Sequence, residues 1–341
     1  MQRRINFFVL SLIAITLLTL GCKEQQNKES KKGAELQHYL VGKLTDAIIY
    51  DIYSPPVASR LYAYTNLAYY EAIRPAYQTT SITNQLKGFE KLTTAPNPTA
   101  FHPELAGMVA YLTVAKKLIF SKDSISVVEE SLLKDYEYVD NEILNNSIAW
   151  GNRVAKIVLD RAAKDQYKFT RGLPRYSVFE EEGKWQQTPP DYADATEPNW
   201  RMIMPLLMDS AAQFKPTPPP PYNLKKGSGY YAELMELYET SKKITPSQDT
   251  IAKYWDDNPF VTQHQGHLTF ANKKTTPVGH WMGIIAILCN TANKDAISTA
   301  QSYALASAAI FDGFISCWDE KFRSRTARPV TVIRKNIETE W

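Results

Sequence analysis

The chain of 341 residues is 44% hydrophobic and 22% charged, which supports a sizeable core and excludes a disordered polyelectrolyte. Its 39 basic and 36 acidic residues leave a net charge of only +3, so no overall field draws it to nucleic acid, although a local basic site stays open. The 14 glycines are few for this length and speak against a turn-rich β protein.

The chain starts like an exported protein. Arg3 and Arg4 precede an apolar run at 7–20, long enough for a signal-peptide core and too short to cross a bilayer comfortably. Leu20-Gly21-Cys22 comes at once after it, a small residue before a cysteine in the manner of a lipoprotein cleavage site. The expectation is a signal peptide over 1–21 and a lipid on Cys22, making an exported, membrane-anchored lipoprotein. An ordinary secretory signal with an incidental cysteine is the alternative. Residues 23–32 are polar and charged, and the stretch 22–44 reads as a flexible tether to a folded domain at 45–341. Cys289 and Cys317 lie in apolar segments and read as buried free thiols.

Helical periodicity dominates the rest of the chain. Leu61, Tyr64, Ala68 and Ala72 recur at spacings of three and four within 58–73, before Pro75 ends the segment. Leu105, Met108, Val109, Leu112, Ala115 and Ile119 make one face over 103–120. Val127, Val128, Leu132, Tyr136, Ile143, Ile148, Val154 and Val158 continue the pattern over 124–163 as two helices or a broken one. Residues 169–229 hold a run of prolines that no regular helix tolerates. The interleaved Trp185, Tyr192, Trp200 and Tyr222 point to a packed cover over the helices, with a disordered linker as the competing reading. Helices are predicted again at 230–241, 247–254, 279–291 and 295–321. With no Gly-rich phosphate loop and no βαβ alternation, the class is all-α.

The sharpest cluster of chemistry lies at 317–331. On a helix through 303–321, Lys321 ends the stripe Tyr303, Ala306, Ile310, Phe314, Cys317. Seven residues on comes Arg328, near the same face if the helix persists, or beyond a turn because Pro329 biases it toward extended backbone. Either way, a lysine and an arginine can converge on one tetrahedral oxyanion, Arg with a planar fork of donors and Lys with a compact charge. The plain alternative is a pair of cations suiting a helix C-terminus.

Lys321, six residues, then Arg328-Pro329 resembles the first signature of the superfamily that joins type 2 phosphatidic acid phosphatases with vanadium-dependent haloperoxidases. The context, Ala308-Ala309-Ile310-Phe311-Asp312 and Cys317-Trp318-Asp319-Glu320, resembles the haloperoxidase branch, as do Pro277-Val278-Gly279-His280-Trp281, Ala252 to Asp257, and Ser54 to Ala72. The resemblance implies packed helical bundles and a vanadate cofactor, with hydrogen peroxide and halide as substrates. It assigns Lys321 and Arg328 to the anion and Trp318 to an aromatic position beside it.

The family's Pro-Ser-Gly-His segment and its later Arg and vanadium-ligating His are not among these residues. None of His38, His102, His264, His267 and His280 stands in such a context. The resemblance therefore implies no metal ligand in this chain, a last bundle left incomplete, exposed bundle surface and weak hold on vanadate, as in a fragment. His264 and His267 lack the glutamate of a zinc helix, and His280 reads as a packing residue. A phosphatase of the same superfamily and a non-catalytic surface lipoprotein remain as alternatives.

Overall fold

A computed structural model describes residues 33–92, 96–178, 181–189, 192–259, 261–265 and 268–341. Cys22 and the whole predicted signal segment lie outside the described residues, as does His267. The helices are α1 (Ala34–Tyr50), α2 (Pro55–Ile73), α3 (Pro103–Leu118), α4 (Lys122–Leu133), α5 (Asn141–Lys164), α6 (Tyr167–Arg171), α7 (Gly229–Lys242), α8 (Pro246–Tyr254), α9 (Pro277–Thr291), α10 (Ala296–Ser324) and α11 (Pro329–Asn336). The fold is all-α. One small antiparallel hairpin, which no sequence pattern announced, pairs β1 (Val261–Gln265) with β2 (Leu268–Asn272), in register Val261 with Asn272. It carries His264 on a strand.

α2 is the axis of the molecule. Pro55 and Pro56 occupy its first turn, where missing amide protons cost nothing. From Pro56 to Ile73 every residue is buried, so this helix is covered on all sides. α3 and α10 pack against it most extensively, and α1, α5 and α9 complete the surround. The predicted faces Leu61, Tyr64, Ala68, Ala72 and Leu105, Met108, Val109, Leu112, Ala115, Ile119 are all in the core. Val127 departs from prediction and points to solvent, because α4 buries only Ile125 and Leu132.

The stretch 34–44, expected as tether, is instead the first half of α1. Leu36, Leu40, Val41 and Leu44 recur at helical spacing and are buried in the core. The polar run before it masked this periodicity.

α3 and α5 cross at Gly151, where an added Cβ would lie 2.6 Å from the Ala106 carbonyl oxygen and 2.9 Å from Val109 Cβ. Backbone cannot retreat from such a clash. Gly151→Ala should therefore cost about 1–3 kcal/mol in urea unfolding, and an unchanged midpoint would contradict this close crossing.

The proline-rich segment is packed in part: of its four aromatics, Trp200 is buried, Trp185 and Tyr222 are half-buried, and Tyr192 is exposed. Trp200, Ile203 and Leu206 are fully buried. The buried Arg161 of α5 holds the segment by donating to the carbonyls of Met204 (2.9 Å) and Pro205 (3.0 Å). Asp312 of α10 holds the same stretch from the other side, accepting the amides of Leu206, Leu207 and Met208 at 2.7, 2.7 and 3.0 Å.

Candidate functional site

α10 starts on an Asp295 cap, whose carboxylate accepts the Ser298 amide at 2.9 Å. Its buried stripe is Tyr303, Ser307, Phe311, Ile315 and Trp318, which faces α2 through the Phe311–Tyr64 ring contact at 6.0 Å. The predicted stripe lies at the edge of the core, with Ala306, Ile310 and Phe314 half-buried against it, and Cys317 is exposed where a buried thiol was expected. Cys317 faces an open cavity with Lys321 instead. Cys289, in contrast, is buried and free as predicted.

Lys321 and Arg328 do not share one helix. α10 ends at Ser324, and Arg325 takes the left-handed conformation (φ 49°, ψ 35°) that closes helices. Arg328 is then extended (φ −69°, ψ 142°), as the proline after it demands, and Pro329 opens α11. The turn, not a continuous helix, leaves the Arg328 charge within electrostatic reach of Lys321.

Trp318 supports the lysine. Its indole N–H donates to the Thr196 carbonyl at 2.9 Å, which fixes the ring, and Phe314 packs on it at 5.3 Å between centroids. The Lys321 ammonium lies 3.9 Å from the centre of the Trp318 ring, within cation–π range. Crowding by the protein lowers the Lys321 pKa, the Arg328 charge pushes the same way, and Cys317 opposes them. Nearby acids are already engaged: Glu320 and Asp319 both pair with Arg323. Among the described residues, neither Lys321 nor Arg328 has an ion-pair partner.

The cavity beside Lys321 is about 840 Å³ and is walled by Leu207, Met208, Phe214, Pro216 and Cys317. Its proline-segment wall stands where Asp312 holds it. Asp312 was not singled out as a functional residue from sequence. The signal was there, an isolated carboxylate amid Ala308, Ala309, Ile310 and Phe311.

His280 does not join this site. Its Nδ1 meets Asp257 at 2.8 Å and its ring stacks on Trp255 at 4.6 Å, in keeping with a packing role. Among the described residues, no cluster of His, Cys, Asp and Glu could hold a metal ion.

This is an all-helical scaffold that presents two cations, without an acidic partner among the described residues, and an aromatic support from one helix–turn–helix. A scan of protein-family models and a search of curated proteins gave no match. Among solved structures, the chain is similar to one described as the first bacterial vanadium-dependent iodoperoxidase. The identity is 41%, the TM-score is 0.82, and the match covers 91% of this chain and 74% of that one. Apo and holo bacterial vanadium-dependent chloroperoxidases share the fold, at 15% and 16% identity and TM-scores of 0.61 and 0.58. These matches cover 86% and 83% of this chain, and 68% and 64% of those chains. The chain belongs to the vanadium-dependent haloperoxidase family.

Proposed function

We propose that this protein is a vanadate-using peroxidase of halides, that Lys321 and Arg328 are the anion contacts it contributes, and that Trp318 supports them. The observation that carries this reading is the pair of neighbouring cations without an acidic partner among the described residues. The residues fit the group: a tetrahedral oxyanion takes hydrogen bonds from a guanidinium fork and an ammonium, and relieves their mutual repulsion. When bound, vanadate supplies Lewis-acid activation of hydrogen peroxide without changing its own oxidation state. Arg328 would donate to oxyanion oxygens from its guanidinium fork. Lys321 donates from Nζ, held in direction by the Trp318 ring below it. Fixed positive donors of this kind act where negative charge concentrates and need no rearrangement during reaction.

Iodide is the halide to try first, given the 41% identity to an iodoperoxidase. These residues alone, without the family's Pro-Ser-Gly-His segment and vanadium-ligating His, are expected to be inactive; with those segments supplied, the expected result is iodide-dependent loss of hydrogen peroxide that requires added vanadate. Hydrolysis of a phosphate monoester without peroxide turnover would favour the phosphatase alternative. Neither activity would leave the non-catalytic lipoprotein.

We further propose export and lipid anchoring through Cys22, supported by the apolar run at 7–20 and the Gly21-Cys22 pair. Cys22→Ser should move the protein from the membrane pellet to the soluble fraction. Retention in the pellet would refute the anchor.

A further inference from the structure

The two cations belong to different cores. Lys321 lies in the last turn of α10, whose buried face lies in the main core. Arg328 comes directly after Ala327, which is buried in a separate small core with Leu234 of α7 and Val332 and Ile333 of α11. Their separation is therefore set by the joint between the cores, the loop 324–328. A free loop of that length would let the cations drift apart, because they repel and no acid among the described residues bridges them.

The loop is not free. Residues 181–185 of the proline-rich segment pair with it as a short antiparallel strap, with Lys184 opposite Thr326. The Trp185 amide donates to the Arg325 carbonyl at 2.7 Å, and the Ala327 amide donates to the Gly183 carbonyl at 3.1 Å. Lys184 Nζ donates to the Ser324 carbonyl at 3.4 Å, and Arg325 meets Glu181 at 3.3 Å. The strap is itself fastened at both flanks. Trp185 contacts Tyr176 edge-on, and Tyr176 packs on Phe322 of α10, at 6.1 and 5.3 Å. On the small-core side, Gly183 lies under Tyr222, which packs on Tyr230 at 5.0 Å. Gly183 has φ +76°, and a Cβ there would fall 2.5 Å from Tyr222 Cγ, so glycine is required twice over. The left-handed Arg325, a conformation that costs a non-glycine residue free energy, is held by the Trp185 bond to its carbonyl.

We propose that the strap at 181–185, with Gly183 as its fixed point, is a positioning element that fixes Arg328 relative to Lys321 by clamping the loop between them. This rests on the assignment of Lys321 and Arg328 as oxyanion contacts. Gly183 touches neither cation and acts through the loop.

Two measurements on the intact protein test it. Hydrogen exchange at the Ala327 amide reports the strap without any ligand, and calorimetric titration with orthovanadate reports the site. Gly183→Ala should deprotect the Ala327 amide and weaken orthovanadate by about tenfold, the scale of one lost charge-assisted hydrogen bond. Added to Arg328→Ala, it should weaken binding no further, because the strap acts through that arginine. Gly151→Ala, a destabilising change in the main core, should leave orthovanadate affinity unchanged, so general loss of stability is controlled for. Unchanged Ala327 protection in Gly183→Ala overturns the strap. Full additivity with Arg328→Ala overturns positioning through that residue. If the wild type takes up no orthovanadate, the site assignment fails and the positioning claim with it, while Ala327 exchange still decides whether the strap clamps the loop.

Discussion

Asp165→Ala should destabilise the protein by about 3–5 kcal/mol, the cost of breaking a buried ion pair by removing one member. Asp165 is fully buried. It accepts from Arg60 Nε at 2.6 Å, from the Tyr64 hydroxyl at 2.9 Å and from the Tyr167 amide at 2.9 Å. The buried Arg161 reaches the same network through Tyr64, at 3.0 Å. Two guanidinium groups therefore depend on one carboxylate. Arg161 has carbonyl partners at Lys87, Met204 and Pro205, but Arg60 would keep the Ala162 carbonyl and the faces of Tyr64 and Tyr167, with no carboxylate. An uncompensated cation would then sit between α2 and α5. Urea unfolding of Asp165→Ala reads the cost. Stability within about 0.5 kcal/mol of wild type would mean that the carboxylate compensates nothing.

Asp312→Ala should cost about 3 kcal/mol or more, since it strands buried amides that lose a charged acceptor. Its effect should also reach the site. The amides of Leu206, Leu207 and Met208 are the ones released, and Leu207 and Met208 wall the cavity beside Lys321. Asp312→Asn is the sharper variant. Its single carbonyl oxygen can still accept from Leu207 and Met208, but its amide nitrogen then faces the Leu206 N–H. Asparagine should therefore recover part of the loss seen with alanine, measured by the same unfolding experiment. Equal losses for both would show that shape, and not the carboxylate oxygens, holds this wall.

Much of the fold was legible because burial repeats. α2, α3 and α10 announce themselves through apolar residues every three or four positions, and the structure closes the start of α8 with a Thr245–Gln248 capping box. What periodicity could not settle was phase. On α10 small residues surround the stripe, so Ala306, Ile310 and Cys317 fit a buried face as well as Ser307, Phe311 and Ile315 do. Tertiary packing against α2 chose the second. The tether was overextended because charged residues 23–32 hid the helical start at Ala34. The hairpin around His264 is short and lacks a hydrophobic alternation long enough to read.

The site itself was half legible. Lys321, Arg328 and Trp318 came from one local string, and the structure brings Lys321 to Trp318 and puts Arg328 within its electrostatic reach. The parts that fix them are distant in sequence. Thr196 anchors Trp318 across 122 positions, and the strap at 181–185 anchors the loop from a segment whose prolines suggested only a cover. Such pairings leave no periodic trace, since a single glycine under a tyrosine ring has no pattern to repeat.

Calorimetric titration of orthovanadate into the wild type, Lys321→Ala, Arg328→Ala and the double variant decides whether the two cations form an oxyanion site. Two charge-assisted contacts at about 1.5–3 kcal/mol each correspond to dissociation constants on the order of millimolar or tighter. Measurable wild-type binding is expected, weakened by about tenfold or more in each single variant and undetectable in the double variant. Orthovanadate binding that is the same in all four proteins would refute the site.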